Sequence, residues 1–200
     1  MLKATGLTCE RGGRTLFEGL SFELGGGELL RIAGENGTGK TSLLRILCGL
    51  LEPVAGEVRW RDEPIRSLRE DYSRELVYLG HAPAVKDELT SAENLEITCR
   101  LAGMVAPSEG ILAALRQFGL TGVETTKRLS QGQRLRAALA RLALSQPVPL
   151  WLLDEPFSAL DAAAARLTEG LISEHVARGG TAIYTTHQEA GITASRVIEL

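Results

Sequence analysis

An α/β fold around a parallel sheet is predicted by three observations in this sequence. Continuous apolar runs such as "PLWLLD" and "TAIYTT" have the pattern of strands buried on both faces. Segments with helical spacing alternate with those runs in the second half of the chain. A loop with three glycines and no apolar side chain, "GENGTGKTS" (34–42), joins one apolar run to a helical one. With 200 residues, 44% of them apolar, there is material for one substantial core and a small second lobe.

The elements follow in chain order. Residues 1–33 read as the short strands "MLKATGL", "GLSFEL" and "ELLRIAG", separated by Gly-rich turns. Over 41–51, Leu43, Leu44, Ile46, Leu47 and Leu50 recur at the i, i+3, i+4, i+7 spacing of a helix. "EPVAGEVRW" is a turn followed by a strand, and "ELVYLG" is another strand. Helices are predicted over 91–101 and 108–118, joined by the breaker "GMVAP", and over 131–144, where Arg134, Arg136 and Arg141 lie. After "PLWLLD" come a helix over about 161–177, the strand "TAIYTT", a short turn or helix, and a final strand "RVIEL". The helices of 91–145 have no strands between them, so they read as a lobe inserted into the core. The expected division is about 1–86 and 146–200 for the core and β part, and about 87–145 for the helical part.

Composition narrows the function. A formal net charge of −3 is close to balance and gives no support to a nucleic-acid partner. Cys9, Cys48 and Cys99 are far apart with no CxxC pair, and read as reduced, buried hydrophobes rather than a disulfide or metal site. The stretch "MLKATGLTCERGG" holds no apolar run long enough for a signal peptide. The longest apolar runs fall short of the ~20 residues of a membrane-spanning helix. The expectation is a chain soluble by itself that meets a membrane only through partners.

The loop "GENGTGKT" matches G-x-x-x-x-G-K-[ST], which cradles phosphates. Glycines let successive backbone N–H groups point inward, and the following helix presents its positive end to the anion. The candidate phosphate-binding residues are Gly34, Glu35, Asn36, Gly37, Thr38, Gly39, Lys40, Thr41 and Ser42. Lys40 is expected to reach the β- and γ-phosphates, and the Thr41 hydroxyl to ligate Mg²⁺. Asp154 ends the apolar strand "PLWLLD" and supplies a carboxylate for the metal, directly or through water. Glu155 follows it, and because neighbours in a strand face opposite ways it is free to polarise the attacking water. In "LSQGQ" (129–133), Ser130 and Gln133 make a capping box at the start of the arginine-bearing helix. With Gln131 and Gly132 they form a second anion-binding helix terminus in the other lobe.

The set "GENGTGKT", "LSQGQ", "LLDEP", "SALD" and "TTH", in this order, resembles the ATP-binding cassette (ABC) ATPase family over essentially the whole chain. The resemblance implies a RecA-like phosphate-loop core with an N-terminal antiparallel β subdomain and an inserted α-helical subdomain. It implies ATP and Mg²⁺ as ligands and a homodimer, in which the "LSQGQ" segment of one subunit closes over the γ-phosphate held by the other. By the same resemblance 158–161, ending in Asp161, signals between the two sites, and His187 contacts the γ-phosphate. Read alone, His187 is an ordinary strand-end histidine. The stretches "LTCERGGRTLFEGLSFEL", "GEVRW", "YLGHAPAVKDELTSAENL", "LDEPFSALD" and "TTHQ" are similar, within that family, to the ATP-binding export subunits of cytochrome c biogenesis. That similarity implies a peripheral ATPase on the cytoplasmic face of a bacterial inner membrane. Its partners would be the membrane-spanning permease subunits of a haem-delivery system, docked on the segment from Ala82 to about Arg100.

The pattern is broken at two places. Ala82, in "GHAP", stands where the family has a glutamine, so that metal or water contact is lost; His81 beside it is read first as a structural imidazole, with compensation for the lost contact as the alternative. Arg11 stands where the family stacks an aromatic ring on adenine, and a planar guanidinium can stack there too. The absent glutamine leaves a nucleotide-dependent assembly switch with weak hydrolysis as the alternative to a transport motor. A different small-substrate exporter is the other alternative.

Overall fold

In the computed structural model, which describes residues 1–187 and 191–200, the chain opens as a hairpin. β1 (Leu2–Arg11) and β2 (Arg14–Leu24) pair antiparallel across the turn at Gly12 and Gly13. Along β1 the buried positions are Leu2 and Ala4, then Leu7 and Cys9. The change of parity falls at a shift in register next to Gly6, whose φ of 60° places a bulge in the strand. β3 (Leu29–Ala33) leads through the glycine-rich loop into α1 (Lys40–Leu47). β4 (Ala55–Trp60) and the two-residue β5 (Glu63–Pro64) return to the hairpin and complete a four-stranded sheet in the order β2-β1-β4-β5.

α1 is shorter than its apolar spacing predicts. Gly49, at φ 76°, breaks it: its N–H donates to the Ile46 carbonyl at 3.0 Å and the Leu50 N–H to the Arg45 carbonyl at 2.8 Å. Leu50 therefore lies 68% exposed, outside the helix expected to carry it. The short α2 (Ile65–Leu68) and α3 (Glu70–Arg74) have no apolar period and were not predicted. Their anchor is Tyr72, buried, whose hydroxyl donates to the Leu47 carbonyl at 2.6 Å.

β6 (Leu76–Leu79) precedes the helical block of α4 (Ser91–Leu101), α5 (Ser108–Gln117) and α6 (Gln131–Leu144). β7 (Leu150–Asp154), α7 (Ala162–Ala177), β8 (Thr181–Thr185) and β9 (Arg196–Glu199) complete the chain. The short turn or helix expected after β8 includes 188–190, and Gln188 of "TTHQ" with it; these lie outside the described residues. The second sheet is five-stranded and wholly parallel, in the order β6-β7-β8-β3-β9. Alternation along β7 shows why its sequence is continuously apolar. Leu150 and Leu152 pack into the layer shared with α1 and the antiparallel sheet, while Trp151 and Leu153 pack beneath α4–α7. The helical block has no separate core, since Leu95, Leu115 and Leu139 join that second layer directly.

Two polar arrangements fix the start of the helical block. Thr90 and Glu93 form a capping box on α4. Asn94, buried, accepts from the Lys86 N–H at 2.7 Å and donates to the Thr126 hydroxyl at 2.8 Å, tying the loop after β6 to the turn before α6.

His175 of α7 stacks on Trp151 at 3.9 Å between ring centroids. Its Nε2 lies 3.4 Å from the Thr181 carbonyl and its Nδ1 is buried without a partner. Burial pulls this imidazole below its ordinary value of 6.5. The unfolded chain then binds the proton more readily than the folded one, so stability is complete above that value and falls as the pH drops through it. Thermal melts from pH 7.5 to 5 are expected to show a loss of stability on acidification that is smaller in His175→Phe, which keeps the stack without the proton.

Candidate nucleotide-binding site

The loop between β3 and α1 owes its shape to its glycines. A Cβ on Gly34 would lie 2.5 Å from the Leu200 carbonyl oxygen, and one on Gly39 would press on the Phe17 ring at 3.1 Å. The Thr38 hydroxyl donates to the Glu35 carbonyl at 3.0 Å and closes the loop on itself. Lys40 is buried, its ammonium donating to the carbonyls of Gly34 at 2.7 Å and Glu35 at 2.8 Å. No carboxylate forms an ion pair with it among the described residues. Its charge is thus held by neutral dipoles alone, at the mouth of an anion cradle.

Asp154, 3% exposed at the end of β7, has each carboxylate oxygen occupied. Thr41 donates to Oδ2 and Thr185 to Oδ1, both at 2.8 Å. The Thr185 hydroxyl also accepts from the Glu155 N–H at 2.9 Å. Sequence reasoning missed Thr185. The signal was the pairing of parallel strands, which sets Asp154 opposite Thr185 at the ends of β7 and β8.

Glu155 departs from the predicted reason for its separation from Asp154. β7 has already ended, and Glu155 sits at φ 53°, so a left-handed residue, not strand alternation, turns the two carboxylates apart. That conformation costs about 1–2 kcal/mol for a non-glycine residue. It is held by the Thr185 contact and by the Glu155 carbonyl, which accepts from the Ser158 N–H at 3.1 Å and hydroxyl at 2.9 Å. His187 Nδ1 lies 3.0 Å from Glu155 Oε2.

These groups share one cleft of about 480 Å³. Asn36, Gly37, Gly39, Lys40, Thr41 and Ser42 line it together with Asp154, Glu155 and His187. Arg11, at the end of β1, and Leu16, near the start of β2, line it as well. Ser158 and His81 also line it. Of the two readings of His81, its position agrees with the compensating one: the residue is exposed and borders the cleft. Ala82 faces elsewhere, into a groove beside α4 and α6.

Gly34, Glu35 and Thr38 brace the loop from outside the cleft. Ser130, Gln131, Gly132 and Gln133 do not line it either. The capping box is as expected: the Ser130 hydroxyl accepts from the Gln133 N–H at 3.2 Å, and Gln133 Oε1 from the Ser130 N–H at 2.8 Å. A Cβ on Gly132 would meet the Ala159 carbonyl oxygen at 2.8 Å, so the start of α6 packs closely on the 158–161 loop. Asp161 caps α7 by accepting from the Ala164 N–H at 2.8 Å and lies 3.5 Å from Arg136. The chain therefore carries two anion-ready helix ends that do not meet within one copy.

A family model for ABC transporters matches residues 17–158. This chain belongs to the ABC transporter ATP-binding family. The cytochrome c biogenesis ATP-binding export protein CcmA of Dechloromonas aromatica is 52% identical, the match covering 100% of this chain and 98% of that one. The CcmA of Aromatoleum aromaticum is 53% identical, over 95% of this chain and 90% of its own. Among solved structures, the bacterial ABC transporter cassette MJ0796, solved as a dimer, superposes with a TM-score of 0.86 at 24% identity, covering 100% of this chain and 94% of that chain. An ABC cassette of this kind binds ATP.

Removing the unpaired ammonium has a calculable consequence. A charge-assisted contact is worth about 1.5–3 kcal/mol, so Lys40→Ala is expected to weaken ATP binding roughly ten- to hundredfold. Titration calorimetry or a fluorescent-nucleotide assay reads the change directly.

Proposed function

We propose that this chain is the ATP-hydrolysing subunit of an ABC exporter that drives haem export or release for cytochrome c biogenesis. The observation that carries the hydrolytic reading is the contact at 3.0 Å between His187 and Glu155, in the same cleft as Lys40, Thr41 and Asp154. The haem reading rests on relatives named for cytochrome c biogenesis that match 45–53% of positions over nearly the whole chain.

The donor set suits Mg²⁺. A buried carboxylate and a hydroxyl, already 2.8 Å apart, are hard oxygen ligands of the kind that ion takes beside nucleotide phosphates. Thr41 and Asp154 would hold it, and when bound it would neutralise phosphate charge during transfer. Lys40 exchanges the loop carbonyls for the β- and γ-phosphates. The 34–42 backbone and the N-terminus of α1 orient the triphosphate, and Arg11 stacks on the base. Glu155, fixed by Thr185 and Ser158, accepts the proton of the attacking water. His187 positions that carboxylate and faces the γ-phosphate.

The separation of Ser130–Gln133 from the chain's own cleft supports a head-to-tail homodimer. In it the N-terminus of α6 and the 158–161 loop of one copy complete the nucleotide site of the other. We further propose that the cassette sits peripherally on the cytoplasmic side of the inner membrane. Permease subunits there would dock on the loop after β6 and on α4. No helix among the described residues is long and apolar enough to cross a membrane.

Glu155→Gln keeps the shape of the side chain but cannot accept a proton. It is expected to bind ATP normally, to accumulate as an ATP-bound dimer by size-exclusion chromatography with light scattering, and to lose at least a hundredfold in turnover, on the scale of general-base catalysis. Wild-type turnover in this variant would remove Glu155 as the base.

A further inference from the structure

The carboxyl ends of four adjacent strands meet at the cleft, the edge where a parallel sheet receives its ligands. β3 supplies the 34–42 loop, and β7 ends in Asp154 with Glu155 after it. In the sheet β7 lies between β6 and β8. Each of these flanking strands ends two residues before a histidine: Thr185 closes β8 ahead of His187, and Leu79 closes β6 ahead of His81. The register sets the strand ends level, since Leu79 and Tyr184 both pair with Leu153. Both histidines line the cleft, and the strand order places their backbones on either side of the two carboxylates. Strands two apart in a sheet are separated by roughly 10 Å. That span holds one phosphate group with a hydrogen-bonded side chain on each side.

The two histidines are used differently within the chain. Nδ1 of His187 lies 3.0 Å from Glu155 Oε2. The side chain of His81 is exposed and has no hydrogen bond or ion pair among the described residues. Its backbone is nevertheless held at both ends of the loop. On one side β6 pairs with β7, and the chain turns so closely over Tyr78 that a Cβ on Gly80 would press on the Tyr78 hydroxyl at 3.1 Å. On the other, the Lys86 N–H donates to Asn94 at 2.7 Å and the Lys86 carbonyl accepts from it at 2.9 Å. A polar side chain on a braced loop, facing an anion cradle and unspent inside the protein, is placed for a ligand.

We propose that His81 is a phosphate-contacting residue, whose imidazole N–H donates a hydrogen bond to the terminal phosphate of ATP from the β6 side while His187 faces that phosphate from the β8 side. Arg11 and Leu16, on the antiparallel sheet, mark the base end of the cleft, so a side chain extended from β6 beside Asp154 meets the reacting end. The bond is charge-assisted, needs no proton transfer, and is made with a triphosphate but not with a diphosphate. This rests on the nucleotide site proposed above and goes beyond it by naming a second imidazole that senses the γ-phosphate.

The test compares ADP with a non-hydrolysable ATP analogue, each with Mg²⁺, by titration calorimetry on the full chain at concentrations where it is monomeric. His81→Ala is expected to lose about tenfold in affinity for the analogue, the scale of one hydrogen bond to a charged group, and nothing for ADP. The melting temperature should not move, because the side chain is exposed and has no partner among the described residues. His81→Gln, which restores an N–H donor, should recover most of the loss. Ala82→Gln added to His81→Ala should not, because position 82 faces the groove. Equal losses for both nucleotides, no loss for the analogue, or recovery through position 82 alone would overturn the role of His81 and leave the nucleotide site in place. A wild-type chain that fails to bind the analogue would remove the site itself, and the role with it.

Discussion

Asp154 accepts one hydrogen bond from the first turn of α1 and another from the end of β8, while itself ending β7. Three separate elements meet on its two oxygens, in a site 3% exposed. A buried carboxylate with only two neutral donors is costly by itself. The cation proposed above would offset that cost, and the Thr41 hydroxyl stands 2.8 Å from the carboxylate beside it. The depth of the cleft, the orientation of the 34–42 loop and the placing of Glu155 all depend on this junction.

Its reach extends to the strained residue beside it. Glu155 is held in a left-handed conformation because its N–H is captured by Thr185, the same hydroxyl that donates to Asp154. Asp154 and the proposed base are therefore coupled through one threonine, and the base lies 3.0 Å from His187. Ser158, at the start of the loop that packs on α6, also binds the Glu155 carbonyl. A chain of contacts thus links the cleft to the helix end that the proposed dimer presents to the other copy.

Charge is used sparingly in the rest of the molecule. Among the described residues, Lys40 and Arg11 in the cleft and Arg141 in the groove beside α4 and α6 have no carboxylate partner; Lys40 is held among carbonyls. Exposed pairs such as Arg100–Glu96 contribute little to stability. Stability comes instead from the two apolar layers on either face of the parallel sheet.

Much of this was legible in the chain because it is local. Helix spacing placed α4 and α6 with the bounds later observed, the apolar runs marked β7 and β8, and the glycine-rich loop announced an anion cradle before any neighbour was known. Where locality failed, so did the reading. Gly49 ended α1 through backbone bonds that outweighed the apolar spacing reaching Leu50, and α2 and α3 had no period to see. The sequence by itself determined which elements form and which side chains carry chemistry, since periodicity and motif spacing depend on near neighbours. Tertiary structure alone decided that Thr185 bridges Asp154 and Glu155, that His81 borders the cleft while Ala82 faces the groove, and that Arg141 goes unpaired. Those outcomes depend on the order and register of parallel strands and on helix packing, which bring together residues far apart in the chain.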